Sequence, residues 1–345
     1  MGPDRAGREV SGILVTGNNW LGDAVMSLPT LRSLKAMKPQ ARISVLSRRS
    51  VADLYAGLPY VDETIVPPPR ERGKLRSWLG LVRDLKKRKF DTALILPRSF
   101  SSALLAFTAR IPRRIGYAGD GRSPMLTDAV PRDPEALRGH RVLYYHRLLA
   151  SLGMPPDPTP PALQVAPEAD RWAADRLPPG RPWVGINPGA TYGEAKQWYP
   201  ERFIETGRRL AKRWNASVVV VGGPAERDLG DRAAAEIGPR AISLSGRTSI
   251  PQLAAAIRRC ALFLTNDTGS MHVADAVGVP VVAIFGPTDW IATPPYGPRH
   301  EIVRHPLECS PCLKRVCPLG HHNCMKRVSV EDVLAACARV LGGAP

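Results

Sequence analysis

The sequence predicts an α/β protein made of two successive halves, each with a mostly parallel sheet, and a cleft between them. Short apolar runs alternate with segments of helical periodicity in both halves, as in parallel sheets that helices cover on both faces. A proline-rich stretch, 154–167, separates the halves, because so many prolines fit neither a helix nor a central strand. The length of 345 residues also corresponds to about two domains.

The first half, placed at residues 1–160, contains predicted strands joined by helices. Apolar side chains recur at helical spacing from Ala24 to Met37, and Pro29 inside this segment predicts a kink. The strands are predicted at Gly12–Thr16, Ile43–Leu46, Glu63–Val66, Thr92–Leu96 and Arg114–Tyr117.

The second half, placed at residues 168–345, repeats this alternation and ends in a helix. Its strands are predicted at Trp183–Asn187, Ser217–Val221, Ala241–Leu244, Leu262–Thr265 and Val281–Phe285. Its helices are predicted at Pro200–Trp214, Ala225–Ile237, Ile250–Cys260, Ser270–Val277 and Val328–Leu341.

Positive charge is concentrated in the first half. The chain has a net charge of +17, and residues 1–150 contain 26 basic and 13 acidic side chains. This half is therefore expected to meet a polyanion, such as a phosphorylated lipid or sugar, a nucleic acid or an anionic membrane face. An aromatic content of only 6% and the lack of a recognition-helix or RNA-binding motif argue against nucleic acid.

The segment Arg70–Lys89 carries nine Lys and Arg residues. Its helical spacing predicts that Leu75, Leu79, Val82 and Leu85 face the core. The basic face then lies in solvent or contacts anionic lipid. No segment is long and apolar enough to span a membrane, and Met1–Ser11 lacks the apolar region of a signal peptide. The sequence therefore predicts a cytoplasmic protein with peripheral contact to the inner membrane.

The first motif, GNNWLGD, runs from Gly17 to Asp23 at a strand end that opens a helix. Gly17 and Gly22 have the spacing of a P-loop. A P-loop would continue with Lys and then Ser or Thr, but Asp23 and Ala24 occupy these positions, so the motif is not a P-loop. The turn presents a carboxylate at a position typical of ligand sites. From these residues alone, Asp23 is either a helix cap or a general base.

The second motif, NPGATYGEAKQW, begins at Asn187 and follows the first strand of the second half. It therefore leaves the carboxyl edge of that sheet, where open α/β sheets bind ligands. Thr191 offers a hydroxyl and Lys196 a compact positive charge that suits a diphosphate, although a plain loop with a solvated lysine would look the same.

The third motif, TNDTGSMH, spans Thr265 to His272 between a strand and a helix. A helix start directs amides and a positive dipole end toward an anion. Asp267 or Thr268 could simply be the N-cap, but beside the second motif a diphosphate site is the better interpretation. After another strand, GGPAE ends in Glu226, which either binds ribose hydroxyls or favours the helix start.

A cysteine-rich loop, Cys309-x2-Cys312-x4-Cys317-x6-Cys324, lies near the end of the chain with His321 and His322. Four thiolates could hold a structural zinc, which would leave the metal no open position for catalysis. Two close disulfides or free thiols are the alternatives, so no catalytic metal and no cofactor are expected.

In combination, these motifs resemble the ADP-heptose:lipopolysaccharide heptosyltransferases, and the heptosyltransferase II branch matches best. The resemblance rests on ILVTGNNWLGDAVMSLPTLRSLK, INPGATYGEAKQWYPERF, VVGGPAE and LTNDTGSMHVADAVGVPVVAIFGPT followed by TPPYGP, in that order from Ile13 onward. It implies a GT-B fold of two facing Rossmann-like domains, an N-terminal one for the acceptor and a C-terminal one for the nucleotide sugar.

The resemblance further implies metal-independent, inverting transfer of L-glycero-D-manno-heptose from ADP-heptose to the inner core of lipopolysaccharide. Another nucleotide sugar or acceptor is the alternative within the same class. Asp23 is then the base, and Glu226 holds the adenosine ribose. The remaining family positions surround the diphosphate and donor sugar: Thr191, Tyr192, Lys196, Asp267, Thr268, Gly269 and His272. Tyr192 departs from relatives that carry a second threonine there, and many relatives lack the cysteine loop.

Overall fold

The structure, a computed structural model, describes residues 11–69, 73–134, 138–153 and 159–342. The chain divides into two compact units, Met1–Thr159 and Pro160–Pro345. Residues 154–158 of the predicted linker lie outside the described residues.

Unit 1 contains one sheet of six parallel strands in the order β3-β2-β1-β4-β5-β6. This is the order of doubly wound nucleotide-binding folds. The strands are β1 (Gly12–Thr16), β2 (Arg42–Leu46), β3 (Glu63–Ile65), β4 (Thr92–Ile95), β5 (Arg113–Tyr117) and β6 (Asp128–Val130). The helices are α1 (Leu21–Met26), α2 (Leu28–Met37), α3 (Arg49–Ala52), α4 (Lys74–Lys87), α5 (Phe100–Thr108) and α6 (Arg141–His146).

Unit 2 repeats the same topology with its own six parallel strands, in the order β12-β11-β10-β7-β8-β9. The strands are β7 (Trp183–Asn187), β8 (Ser217–Val220), β9 (Ala241–Ser243), β10 (Cys260–Asn266), β11 (Val281–Ile284) and β12 (His300–Val303). The helices are α7 (Pro167–Arg176), α8 (Pro200–Arg213), α9 (Arg227–Ile237), α10 (Ile250–Arg258), α11 (Gly269–Ala276), α12 (Asn323–Lys326) and α13 (Val330–Val340).

The central strands are buried on both faces, which is why their sequences read as continuous apolar runs. In unit 2, the fully buried Trp198 packs edge-on against Phe203 and donates its indole N–H to the carbonyl of Val328 at 3.0 Å. That bond satisfies the one polar atom that burial of Trp198 would otherwise leave unpaired.

The predicted helix from Ala24 to Met37 is two helices, which meet at Ser27. Pro29 occupies the second position of α2, where a missing N–H breaks no helical hydrogen bond. In place of the predicted kink, the helix ends and a second helix begins. The sequence analysis also missed β6 and β12, because these short edge strands lack the apolar runs that mark the central strands.

The prediction that all four apolar residues of α4 face the core is wrong for two of them. Val82 and Leu85 are buried, but Leu75 and Leu79 are 71% and 54% exposed. The buried stripe of α4 is centred on Leu81, Val82 and Leu85. Leu79 and Leu75 instead share a second face with Arg83 and Lys86, since these residues recur at four- and seven-residue spacings. We call Leu75, Leu79, Arg83 and Lys86 the outer face of α4.

None of the helices within the described residues has the length and apolar character that a bilayer-spanning helix requires.

Candidate functional site

Both sheets reverse their winding direction at the first strand of the unit. In unit 1 this switch point lies between β1 and β4, and in unit 2 it lies between β7 and β10. Open α/β sheets bind ligands just beyond the carboxyl ends of the strands at such points. The first predicted motif follows β1, and the second and third follow β7 and β10, so each lies at a switch point.

The turn after β1 leaves little room for a side chain at position 17. The amide of Gly17 donates to the carbonyl of Leu46 at 2.8 Å, and a Cβ here would lie 3.1 Å from that oxygen and from the Tyr55 hydroxyl. The turn leads into α1, whose N-cap is Trp20 and has no side-chain cap. Asp23 lies in the first turn of α1 and is not its N-cap, so the capping alternative is wrong.

The carboxylate of Asp23 is held by a buried tyrosine. Tyr145 on α6 donates its hydroxyl to Asp23 Oδ1 at 2.7 Å. Burial raises the pKa of Tyr145 well above its usual value, and the charge of Asp23 raises it further. The phenol therefore stays protonated and remains a donor, which fixes the orientation of the carboxylate.

In unit 2, two buried asparagines fasten the loop that follows β7, residues 188–198, which we call the donor loop. Asn266 at the end of β10 donates to the carbonyls of Pro188 and Gly189 and accepts the amide N–H of Trp198 at 2.9 Å. Asn187 accepts the amide of Gly189 and donates to Ser270. Both ends of the donor loop are thus fixed to the strands of the switch point.

Lys196 and Asp267 form a largely buried ion pair at the base of the donor loop. The Lys196 ammonium lies 2.7 Å from Asp267 Oδ2 and 3.2 Å from the Asp267 carbonyl oxygen. It also lies 5.0 Å from the centre of the Tyr192 ring. These contacts fix a lysine that the sequence alone could not distinguish from a solvated one.

The start of α11 lies directly after Asp267. Thr268 is the N-cap, but its side chain does not cap the helix amides. Its hydroxyl instead lies 3.1 Å from that of Thr265 and 2.9 Å from that of Ser270. The helix therefore presents its N-terminal amides and dipole beside the Lys196 ammonium, as an anion site requires. His272 is buried in the first turn of α11.

Glu226 lies against the donor loop from the β8 side. A Cβ at Gly189 would lie 2.0 Å from Glu226 Oε1, so a side chain here would displace this carboxylate. The amide of Gly223 donates to Oε2 at 2.6 Å. Burial raises the pKa of Glu226, and the Gly223 bond only partly offsets that effect.

The cysteine loop packs on the donor loop through backbone contacts. The Ala195 amide donates to the carbonyl of Arg315 at 3.0 Å, and the Ala195 carbonyl oxygen lies 2.9 Å from His322 Nε2. Tyr192 donates its hydroxyl to the carbonyl of Leu313, and the Arg315 guanidinium covers its ring at 5.0 Å. The cysteine loop is therefore a support for Tyr192 and its neighbours.

The cysteines themselves are free thiols, not disulfides. Cys309, Cys312, Cys317 and Cys324 line one small cavity with His321 and His322. Within the described ranges, no three His, Cys, Asp or Glu side chains are arranged to hold a metal ion. The amide of His322 donates to Cys317 Sγ and lowers the pKa of that thiol.

The structure brings together most of the predicted residues of unit 2 and adds three that the sequence did not reveal. Lys196, Asp267 and Thr268 are in contact or adjacent, and the Tyr192 ring lies near the Lys196 ammonium. Glu226 lies against Gly189 of the donor loop, and Thr191 is exposed on the same loop. The additions are the asparagines at 187 and 266 and, in unit 1, Tyr145. Tyr145 is 122 residues from Asp23, so no local pattern could have pointed to it.

Residues 78–323 match the family described as glycosyltransferase family 9 (heptosyltransferase). The chain is 32% identical to lipopolysaccharide heptosyltransferase 2 of Salmonella typhimurium, over 93% of this chain and 96% of the relative. It is similar to the solved ADP-heptose lipopolysaccharide heptosyltransferase II of Escherichia coli, with a TM-score of 0.82 and 30% identity over 96% of this chain and 98% of that one. Escherichia coli heptosyltransferase WaaC, at 18% identity and a TM-score of 0.74, shares the fold.

Two doubly wound units of this kind correspond to the GT-B fold, and the family match makes the protein a glycosyltransferase with that fold. The chain belongs to glycosyltransferase family 9, the heptosyltransferases. The family, the heptosyltransferase II resemblance and the α/β GT-B fold predicted from the sequence are thereby confirmed.

Proposed function

We propose that the protein transfers L-glycero-D-manno-heptose from ADP-heptose to the inner core of lipopolysaccharide, with inversion at the anomeric carbon. The observation that carries this proposal is the anion site of unit 2, in which a helix start and a fixed lysine meet at the switch point. Its support is the similarity, over nearly the full length of both chains, to the solved ADP-heptose lipopolysaccharide heptosyltransferase II of Escherichia coli.

In this proposal, unit 2 binds the donor. The N-terminal amides of α11 and the Lys196 ammonium receive the diphosphate and stabilise the negative charge that develops as ADP leaves. The exposed hydroxyl of Thr191 is available to the same phosphates. Glu226 accepts hydrogen bonds from the ribose hydroxyls, and Asp267 and His272 lie toward the donor sugar.

Asp23 acts as the general base. Its carboxylate removes the proton of the acceptor hydroxyl as that oxygen bonds to the anomeric carbon. The bond from the anomeric carbon to the diphosphate oxygen breaks, and ADP departs with the electron pair. Because attack and departure occur on opposite faces of the sugar, the anomeric configuration inverts. Tyr145 keeps the carboxylate oriented throughout.

The reaction is proposed to need no divalent metal. Lys196 and the α11 dipole supply positive charge where a metal would otherwise neutralise the diphosphate. Turnover in excess EDTA tests this point, with melting temperature followed in the same samples. Activity that EDTA abolishes and magnesium restores, without a change in melting temperature, would contradict it.

The protein is proposed to work on the cytoplasmic side of the inner membrane in peripheral contact with anionic lipid. The support is the outer face of α4, on which exposed Leu75 and Leu79 lie beside exposed Arg83 and Lys86. Apolar side chains flanked by cations are typical of helices that lie in a lipid interface.

Donor-dependent transfer onto truncated core oligosaccharide tests the main proposal. ADP-heptose, other ADP-sugars and UDP-sugars are compared at equal concentration with one acceptor, and the product is identified by mass. We expect transfer from ADP-heptose alone or in large excess over the rest. Preferential use of a different nucleotide sugar would reject the proposed donor while leaving the enzyme class unchanged.

A further inference from the structure

Three arginines follow three neighbouring strands of unit 1 at their carboxyl ends. Arg98 follows β4, Arg122 follows β5 and Arg132 follows β6. Because these strands are adjacent and parallel, their carboxyl ends lie at one edge of the sheet. This is the edge that also carries Asp23 after β1.

Arg122 is fully buried and fixes the position of Arg98. Its Nε donates to the carbonyl of Tyr117 at 2.8 Å, and its Nη1 donates to the carbonyls of Pro97 and Ser99, on either side of Arg98. The remaining nitrogen, Nη2, is buried without a hydrogen-bond partner. The hydrogen bonds of this buried guanidinium therefore all go to neutral carbonyls, and none goes to a carboxylate of a described residue.

A fourth arginine reaches the same place from α6. Arg141 lies over the ring of Tyr144 at 5.1 Å, and Tyr144 stacks on Tyr117 with 4.1 Å between ring centres. The Tyr144 hydroxyl is buried without a hydrogen-bond partner. Burial raises the pKa of this phenol, and the charges of all four arginines oppose the rise. We call Arg98, Arg122, Arg132 and Arg141 the arginine cluster.

Glycine at position 119 makes room for Arg132. Gly119 has a φ of +100°, and a Cβ there would lie only 1.6 Å from Arg132 Nη2. Arg132 pairs with Asp120 at 3.2 Å, and within the described part of the chain it is the one member of the cluster with an ion pair. Four guanidinium groups thus share a single carboxylate partner.

Two consecutive tyrosines connect the cluster to the proposed base. Tyr144 and Tyr145 are consecutive and their rings meet edge to face at 5.4 Å. The Tyr145 hydroxyl in turn bonds Asp23. An anion bound to the cluster would therefore lie at the same sheet edge as the carboxylate that takes the acceptor proton, connected to it through these two tyrosines.

We propose that the arginine cluster is an oxyanion subsite that binds a carboxylate or phosphate group of the acceptor and so places its reacting hydroxyl at Asp23. This deepens the proposed function and rests on it. Guanidinium groups pair bidentately with both kinds of oxyanion. Arg98 is exposed and Arg132 and Arg141 are half-buried, so ligand oxygens can reach them, while Arg122 supplies charge from beneath.

The test compares Arg98→Gln and Arg141→Gln with Arg213→Gln, which removes one exposed arginine of unit 2 that forms no ion pair with any described residue. Acceptor KM and direct acceptor binding by calorimetry without donor are measured for each, together with ADP affinity and melting temperature. We expect each cluster variant to raise the acceptor KM and Kd about tenfold or more, because a charge-assisted bond is lost. ADP affinity, melting temperature and the Arg213→Gln control stay at wild-type values.

Modified acceptors identify the oxyanion. One core oligosaccharide is carboxyl-reduced and another is dephosphorylated, and each is titrated into wild type and the Arg141→Gln variant. The modification that removes the bound group weakens binding to wild type and leaves the variant unaffected. Equal losses in wild type and variant for both modifications, or unchanged acceptor binding in both cluster variants, would overturn the subsite. Because binding is measured without donor, failure of heptose transfer would leave this result readable.

Discussion

Unit 1 and unit 2 have the same order of six parallel strands, yet their carboxyl edges carry different chemistry. The edge of unit 1 holds long cations, tyrosines and the Asp23 carboxylate. The edge of unit 2 holds glycines, small hydroxyls, two asparagines and one ion pair. The first edge suits a large acidic molecule reached by flexible side chains, and the second suits a compact diphosphate approached by backbone. The fold thus determines where ligands bind, and the loops determine which ligands.

The largest expected effect comes from Asp23, and it tests whether unit 1 supplies the catalytic base. Asp23→Asn keeps an oxygen that accepts the Tyr145 bond but removes the proton acceptor, and loss of a general base typically costs about 10²–10⁴-fold in rate. The charge lost from the first turn of α1 costs stability of at most about 1 kcal/mol. The measurements are turnover, ADP affinity and melting temperature. A variant that retains most of its turnover would show that the base lies elsewhere.

A substitution at Lys196 tests whether unit 2 binds the donor. Lys196→Ala removes a diphosphate partner and also leaves the Asp267 carboxylate buried without its cation, so ADP affinity should fall about 10- to 100-fold. Calorimetry with ADP measures this. Lys196→Ala combined with Asp267→Asn should recover part of the affinity, since the uncompensated charge is gone. Unchanged ADP affinity in the single variant would remove Lys196 from the site.

Substitutions on the outer face of α4 test membrane contact independently of catalysis. Leu75→Gln combined with Leu79→Gln keeps helix propensity and removes the exposed apolar area, so partition to anionic vesicles should fall about tenfold. Co-sedimentation with phosphatidylcholine–phosphatidylglycerol vesicles measures it, and Ile291→Gln is the matched control because Ile291 is also 54% exposed. Turnover on a soluble core oligosaccharide should not change. Equal vesicle binding by wild type and the leucine pair would reject this contact.

Tyr145 is expected to act through the orientation of Asp23. Tyr145→Phe removes one hydrogen bond and leaves the ring packing, so kcat should fall several-fold with little change in donor KM. The pH profile of kcat gives the decisive readout, because the lost donor no longer favours the ionised carboxylate and the acidic limb should move to higher pH. A variant with a lower melting temperature and an unmoved pH profile would indicate a purely structural role.

The smallest expected effect is on thermal stability, and it has the opposite sign to the expected effect on ADP binding. Burial raises the pKa of Glu226 in the folded protein, so ionisation disfavours folding, and stability falls as pH rises through the usual carboxyl range. Glu226→Gln should therefore raise the melting temperature at neutral pH and have less effect near pH 4, while it weakens ADP binding. Thermal melts at both pH values and calorimetry with ADP check this. A lower melting temperature at neutral pH would contradict the stated cause.

The sequence predicted the central strands closely, because strands buried on both faces read as apolar runs. β1 and β7 match their predicted bounds, whereas the half-exposed edge strands β6 and β12 carried no such signal. Periodicity also assigned Leu75 and Leu79 to the core, since spacing shows that side chains share a face and not what covers that face. That assignment needed the tertiary structure.

For the candidate site, the sequence predicted the positions of the loops but not the side-chain contacts between residues far apart in the chain. The glycine-rich motifs at strand ends identified the switch points, because turns of this kind depend on local residues. The ion pair of Lys196 with Asp267 joins residues 71 apart, and the Tyr145 bond joins residues 122 apart. Such pairs arise from the folded chain, so they are absent from any local pattern. The same holds for the arginine cluster, whose members come from three strand ends and one helix.

The backbone bonds between the donor loop and the cysteine loop have a thermodynamic consequence. A ligand that orders the donor loop must also suppress opening of the cysteine loop, and by reciprocity an opened cysteine loop weakens that ligand by the same factor. Cys324 is buried in the cavity beneath this contact, so reagents reach its thiol only when the loop opens. The rate of alkylation of Cys324 is therefore expected to report occupancy of the proposed nucleotide site in a protein that carries no label and turns over no substrate.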